Sequence, residues 1–330
     1  MPKITVEERE NIGTIYRMKN KNGVELATIA HGARLYEWLV PVDGENRDLV
    51  VGYESLADHQ RTRYFGATIG PIAGRIAGAE FEIEGKKYQT EANEKGNTLH
   101  SGSHSFDTKE WAATPFQTEK EAGVEFSLES FDGESGFPGH VKVKVTYALN
   151  EANAFRITYD ATTDQATILN LTNHGYFNLT GAASEPVNNH YLTIDANFIA
   201  EINEDTTTTG EKISVTGTSF DFTQEKQIGE TSLDTPFILN HQAEKALHLV
   251  SPDKKVEVTV KTTEPGVVLY ITGEGEAGEG MKTGTLANRG SIAIETQGIP
   301  GTESYPQFGS LFVTPDNPYH TETIYQVSVE

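Results

Sequence analysis

An all-β sandwich is the fold class this sequence predicts, on three observations. Apolar and polar residues alternate at period two from end to end, turn-forming pairs separate the alternating runs, and no helix-length stretch carries apolar residues at i, i+3, i+4 and i+7. In chain order, Phe81 and Ile83 mark an early strand, and Gly85-Lys86 interrupts it as a hairpin turn does. Val141, Val143, Val145 and Tyr147 predict a second strand. The turn residues Asn150–Asn153 then lead into a third at Phe155, Ile157 and Tyr159. Residues 255–260, 267–272, 291–296 and 323–329 alternate in the same way, and a single short helix is expected after His241. No Pro/Ser-rich linker and no fixed-period repeat divides the chain, so one domain over 1–330 is expected.

Charge narrows the function. Twenty-six Lys and Arg face 48 Asp and Glu, a net charge of −22 that repels phosphate backbones and anionic lipid, so neither nucleic acid nor membrane is an expected partner. With 36% hydrophobic and 9% aromatic residues the chain can bury a core as a soluble protein. Cysteine is absent, which excludes disulfide scaffolds, thiolate metal sites and cysteine nucleophiles. The opening MPKITVEERE lacks an apolar leader and no run approaches the roughly 18 apolar residues of a membrane span, so a cytoplasmic location is expected.

Three motifs imitate chemistry. Gly273, Gly275 and Gly278 spell GxGxxG after the strand-like VVLYIT, but Glu274, Glu276 and Glu279 would face a pyrophosphate and no helix pattern follows. A flexible acidic loop is the better reading. His100 and His104 are four apart, yet LHSGSHSF is no helix and lacks a third close ligand, so no metal is expected there. The sequons at Asn170 and Asn178 carry no consequence for a cytoplasmic chain.

Four segments carry more. LNLTNHGYFNLTG (169–181) delivers His174 into a dense polar knot, where an imidazole can exchange protons near neutral pH; a satisfied core histidine is the alternative. In SIAIETQGIP (291–300), Ile292 and Ile294 point one way, so Glu295 and Gln297 share the opposite face, either of a cleft or of an exposed edge. Arg75, among the glycines of 66–81, can donate to ring and hydroxyl oxygens, and Asp234, before Pro236, can accept hydroxyl protons. Each is otherwise a surface ion-pair or turn residue. Trp38, Trp111, Tyr176 and Phe177 are candidates to stack on a pyranose face, so the shared chemistry suits a sugar.

From about residue 20 to the end the chain resembles the aldose 1-epimerase (galactose mutarotase) family. Five blocks carry the likeness: FGATIGPIAGRIAGAEF, NTLHSGSHSFDTKEW, DGESGFPGHVKVKVTYAL, LTNHGYFNL and IAIETQGIPGTESYPQF. The resemblance implies a galactose mutarotase-like β-supersandwich with an open cleft, no metal and no organic cofactor. It implies interconversion of the α and β anomers of a free aldose of galactose or glucose type. His174 takes the place of the general acid and Glu295 of the general base, while Arg75, His100 and Asp234 match substrate-binding positions and Gln297 supports the base. Pro71, Gly74, Ser101, Gly301 and Ser304 depart from the usual pattern, which leaves the preferred sugar open.

On this mechanism His174 acts as an imidazolium, favoured by Glu295 and the acidic field. A monosaccharide is the expected partner, and a monomer or homodimer the expected assembly. Other readings are a glycoside hydrolase with Asp234 and Glu295 as its carboxylates, a non-catalytic carbohydrate-binding protein, and an epimerase for phosphorylated hexose near Arg61 and Arg63.

Overall fold

The computed structural model describes residues 1–242 and 244–330. The alternation seen in the sequence resolves into two large antiparallel sheets. The first has nine strands, in the order Ala112–Gln117, Glu121–Ser130, Val141–Asn150, Ala154–Thr163, Tyr319–Val329, Val256–Thr262, Leu247–Val250, Tyr191–Ile194 and Lys226–Gln227. The second has seven: Thr208–Ser214, Phe198–Ile202, Asp234–Ile238, Gly266–Ile271, Ile292–Gln297, Gly175–Phe177 and Val50–Val51. A five-stranded sheet built from Lys3–Arg9 to Glu45–Asp48 packs beside them.

Alternation decides what these sheets bury. On Val141–Asn150, Val141, Val143, Val145 and Tyr147 are buried while Lys142 and Lys144 are exposed. One core cluster joins residues from all three sheets, running from Met18 to Val327. Its centre is an aromatic chain. Trp38 meets Phe155 edge-on at 4.7 Å, Phe155 stacks on Tyr325 at 4.8 Å, and Tyr325 stacks on Phe177 at 5.6 Å. Each such pair adds about 0.5–1.5 kcal/mol beyond its buried area. The chain of rings therefore clamps the sheets together directly beneath residues 174–177.

The predicted turns form where expected. Glu84 and Gly85 take positive φ between Glu80–Ile83 and Lys86–Gln89, and Asn150 closes its turn by accepting from the N–H groups of Ala152 and Ala154. The expected helix does not. Among the described residues after His241 no helix forms, the chain entering the strand Leu247–Val250; Ala243 lies outside the described residues. The α-helix is instead Leu56–Arg61, capped by Ser55, whose Oγ accepts from the N–H of Asp58 at 3.2 Å. The signal was the S-x-x-D of Ser55 and Asp58, a capping pattern that apolar periodicity does not detect in six residues. Among the described residues no helix is long and apolar enough to cross a membrane.

Where the chain passes from the first sheet to the second, burial traps a carboxyl group. Glu264 is 5% exposed and accepts from the Tyr319 hydroxyl at 3.2 Å, which itself accepts from the N–H of Leu171 at 3.1 Å. Burial raises Glu264 from 4.5 to about 7. The folded state thus binds more protons than the unfolded state between those values, so stability is lost as pH rises through the window. Glu264→Gln removes this penalty, worth up to about 3 kcal/mol. The expected result is a Tm gain over wild type at pH about 8 and none at pH about 5; equal shifts at both would sink the assignment.

Candidate active site

Strand register brings the two central groups together. Gly175 pairs with Ile294 and Tyr176 with Ala293, so one further step along the same ladder opposes His174 to Glu295. Facing residues on adjacent strands hold their Cβ atoms about 4.5–5.5 Å apart. Nε2 of His174 accordingly lies 3.4 Å from Oε1 of Glu295, with the two residues 4% and 3% exposed. Ile292 and Ile294 turn into the core, and Glu295 and Gln297 turn the other way, into a cleft, as the alternation predicts.

That cleft encloses about 210 Å³, the space of roughly seven waters at about 30 Å³ each. Its floor is the outward face of the seven-stranded sheet, which supplies Asp234, Pro236, Val268, Tyr270, Glu295 and Gln297. Its roof is the segment between Tyr64 and His100. All six residues singled out from the sequence, His174, Glu295, Arg75, His100, Asp234 and Gln297, line it.

The roof is tied down from below. The fully buried Arg34 donates to the carbonyls of Arg63 and Phe65, and Arg63 forms a two-point contact with Asp107 at 2.8 and 2.9 Å. Between those anchors Tyr64 stacks on the His174 ring at 5.7 Å, and Tyr176 stacks on it at 4.8 Å. The backbone of His174 completes the attachment, donating to the Ala67 carbonyl and accepting from the Gly66 N–H, both at 2.8 Å.

The departures from the family pattern now have local causes. Gly74 sits at φ +80°, and a Cβ there would come within 2.9 Å of Pro300. Its N–H donates to Nδ1 of His100 at 3.2 Å, so a neutral His100 carries its proton on Nε2 and donates from there. Ser101 takes φ +64°, a conformation that costs a side-chain-bearing residue about 1–3 kcal/mol. Its hydroxyl offsets this by accepting from the Ile72 N–H at 2.7 Å and donating to the Ile72 carbonyl at 2.9 Å. At Gly301, a Cβ would meet Thr208 Oγ1 at 2.0 Å, the hydroxyl that bonds the Pro300 carbonyl. Nothing in the structure explains the exposed Ser304.

Electrostatics overturns one expectation. Burial pushes His174 down to about 3 and Glu295 up to about 8, with Asp234 adding to the rise. Desolvation outweighs the attraction that was to favour imidazolium. At neutral pH these shifts favour an uncharged imidazole facing a carboxylic acid. His100 is also held neutral by burial, and Asp234 is raised by burial and by Glu94. Arg75 is gripped by Glu94 at 2.6 and 3.1 Å, with Asp234 at 3.7 Å. Two buried atoms in the wall, Glu295 Oε2 and Gln297 Nε2, have no hydrogen-bond partner, an expensive state that a polar ligand would relieve.

His100, His174 and Glu295 each place a potential ligand atom within 4.8 Å of the others. In this arrangement Nδ1 of His100 is already taken up by the Gly74 N–H. His104, the other half of the predicted pair, is exposed. Three of the four candidate stacking aromatics belong elsewhere: Trp38, Trp111 and Phe177 are packed in the main core, and only Tyr176 lines the cleft. Tyr64, Glu94, Thr208, Tyr270 and Glu276 line the cleft and were not anticipated. Of these only Tyr64 had a signal, adjoining the FGATIG block.

Comparison with known proteins identifies the family. The family model for aldose 1-epimerase matches residues 14–326. Human galactose mutarotase is 35% identical over 300 residues, covering 87% of this chain and 85% of that protein. The aldose 1-epimerase of Haemophilus influenzae is 35% identical over 306 residues, with 88% of each chain covered. Among solved structures, an aldose epimerase homologue from C. elegans superposes with a TM-score of 0.88 at 27% identity, covering 99% of both chains. A galactose 1-epimerase from Lactobacillus acidophilus gives 0.86 at 26%, covering 100% of this chain and 99% of that one. With nearly its whole length matched and the β-supersandwich shared, the chain belongs to the aldose 1-epimerase family.

Proposed function

We propose that this protein, as one domain over residues 1–330, is an aldose 1-epimerase that interconverts the α and β anomers of a free aldose of galactose or glucose type. Glu295 acts as general base and His174 as general acid. The observation that carries this reading is the facing pair itself: an imidazole and a carboxyl group 3.4 Å apart in the wall of a cleft of monosaccharide size. The related human and Haemophilus proteins are a galactose mutarotase and an aldose 1-epimerase, and a 28% identical relative from Levilactobacillus brevis is a maltose epimerase, all acting at a free anomeric centre.

The chemistry needs one proton removed from the C1 hydroxyl and one delivered to the ring oxygen. Before a sugar binds, the pair's proton rests on Glu295. An entering sugar brings hydroxyl donors to that carboxyl, beside the unpartnered amide nitrogen of Gln297 and the positive field of Arg75, and hydrogen bonds to a carboxylate favour its charged form. The proton then passes to His174, which becomes the acid. Glu295 takes the O1 proton, the C1–O5 bond breaks as C1 becomes a carbonyl, and His174 protonates O5. Rotation about C1–C2 presents the other face, and closure returns both protons, so the pair is reset at each turnover. Each positioned transfer contributes about 10² to 10⁴ in rate, together roughly 5 to 11 kcal/mol at about 1.36 kcal/mol per decade. Arg75, His100 and Asp234 hold the ring so that both transfers are aligned.

The other readings lack this support. A glycoside hydrolase needs a second carboxylate across from Glu295, where His174 stands, and Asp234 lies two strands away beside Arg75. A phosphosugar epimerase needs free cations, but Arg63 is committed to Asp107, Ser105 and the Gly102 carbonyl, and Arg61 pairs with Asp58 on the surface.

Polarimetry of freshly dissolved α-galactose and α-glucose tests the roles. His174→Ala and Glu295→Gln should each lower kcat by about 10² to 10⁴ while KM moves far less; a variant that keeps wild-type turnover removes its residue from the scheme. The pH dependence is set by the one-proton pair. It gains a second proton only near His174's value of about 3 and loses its own near Glu295's value of about 8. The expected kcat/KM is level from about pH 5 to 7 and falls above about 8. A decline already present between about pH 7 and 6, where an ordinary histidine titrates, would overturn it.

A further inference from the structure

We propose that the cleft also turns over aldoses bearing an ammonium group, the aminohexoses, and discriminates against anionic sugars, with Glu276 as a residue that sets this preference. The inference rests on the aldose 1-epimerase reading of the same cleft.

Its starting point is the acidic loop GEGEAGEG. Glu274 and Glu279 are exposed, but Glu276 turns inward and lines the cleft. Two donors converge on its Oε2, the Tyr270 hydroxyl at 2.5 Å and the Gly273 N–H at 3.0 Å. Its other oxygen keeps its full capacity to accept. Tyr270 is the cross-strand partner of Asp234 and meets Tyr176 edge-on at 6.4 Å. The Tyr270 ring therefore stands between two carboxylates on the side of the cleft away from His174.

The cleft's charges are unbalanced. Among the side chains that line it, Glu94, Asp234, Glu276 and Glu295 are acidic and Arg75 is the one basic guanidinium, with Lys95 acting on Asp234 from outside the lining. Arg75 is already engaged by Glu94 and Asp234, so it has little to offer a bound anion. Tyr64, Tyr176, Val268 and Tyr270 form low-polarity walls that limit screening. Glu295 Oε2 and Gln297 Nε2, both buried and unpartnered, mark this space independently as one built for a polar ligand. A neutral hexose meets this field without penalty, a phosphate or carboxylate on the sugar is repelled, and an ammonium is attracted with three donors to satisfy the acceptors present.

The test is polarimetric turnover of glucose, glucosamine, N-acetylglucosamine and glucuronate near neutral pH. One partly screened charge at cleft distances is worth roughly tenfold, so kcat/KM for glucosamine should exceed that for N-acetylglucosamine, and that for glucose should exceed glucuronate, each by about this factor. The glucosamine-to-glucuronate ratio should contract several-fold between about 0.05 M and about 1 M salt, and roughly tenfold in Glu276→Gln at low salt. A ratio near one, or one insensitive to both salt and substitution, overturns the inference. Should the variant fail to fold, the salt series on the wild-type protein decides alone. If glucose itself is not turned over, the epimerase reading fails instead, so the two outcomes are separable.

Discussion

The active cleft depends on one constraint, the antiparallel register that sets residue 174 opposite residue 295. Both positions are fixed by backbone: Glu295 lies within a buried strand, and His174 immediately precedes another and is bonded to Gly66 and Ala67, with Phe155, Phe177 and Tyr325 packed in the core on the opposite side. A slip of one residue would turn His174 toward that core and bring Ile294 or Thr296 into the cleft. The pair is therefore specified by the hydrophobic pattern on the opposite face of the strands.

Burying such a pair has a consequence that surface chemistry would not share. Two charged groups in this wall would have to shed water on both sides, and removing a proton from one and adding it to the other is cheaper. The site settles in the uncharged arrangement and holds one proton ready. Its neighbours stiffen it without adding charge at the pair: two tyrosines face the imidazole, and Asn170 binds both polar groups of Gly298, immediately after Gln297, at 2.7 and 3.0 Å. Asn170 also links its backbone to Pro71 and Ala73, so the segments bearing His174, Glu295 and Arg75 share one anchor point.

Much of this was legible in the residues. Period-two alternation located seven of the strands but none of the five-stranded sheet, and the outward phase of Glu295 and Gln297 followed from Ile292 and Ile294 alone. Four of the five family blocks then joined five of the six site residues across more than two hundred positions, with Asp234 matched separately within TSLDTPFILN. Illegible were facts that depend on three-dimensional closure. That Trp38 and Trp111 serve the core, that Glu276 rather than Glu274 or Glu279 turns inward, and that Glu94 grips Arg75 each require knowing which surfaces meet. The sign of the His174 shift failed for a related reason. Composition suggests an acidic field, but only burial reveals that desolvation exceeds it.

The one-proton pair also suits the reaction it is proposed to serve. Substrate and product are the same sugar in two configurations, so a catalyst that ended a turnover with a proton displaced would need a second, compensating exchange with solvent. A carboxyl and an imidazole that trade a single proton through the sugar avoid this. One group gives where the other takes, and the return stroke restores the starting state whichever face closes. Because the proton count of the pair never changes, this scheme requires no exchange with solvent within a turnover.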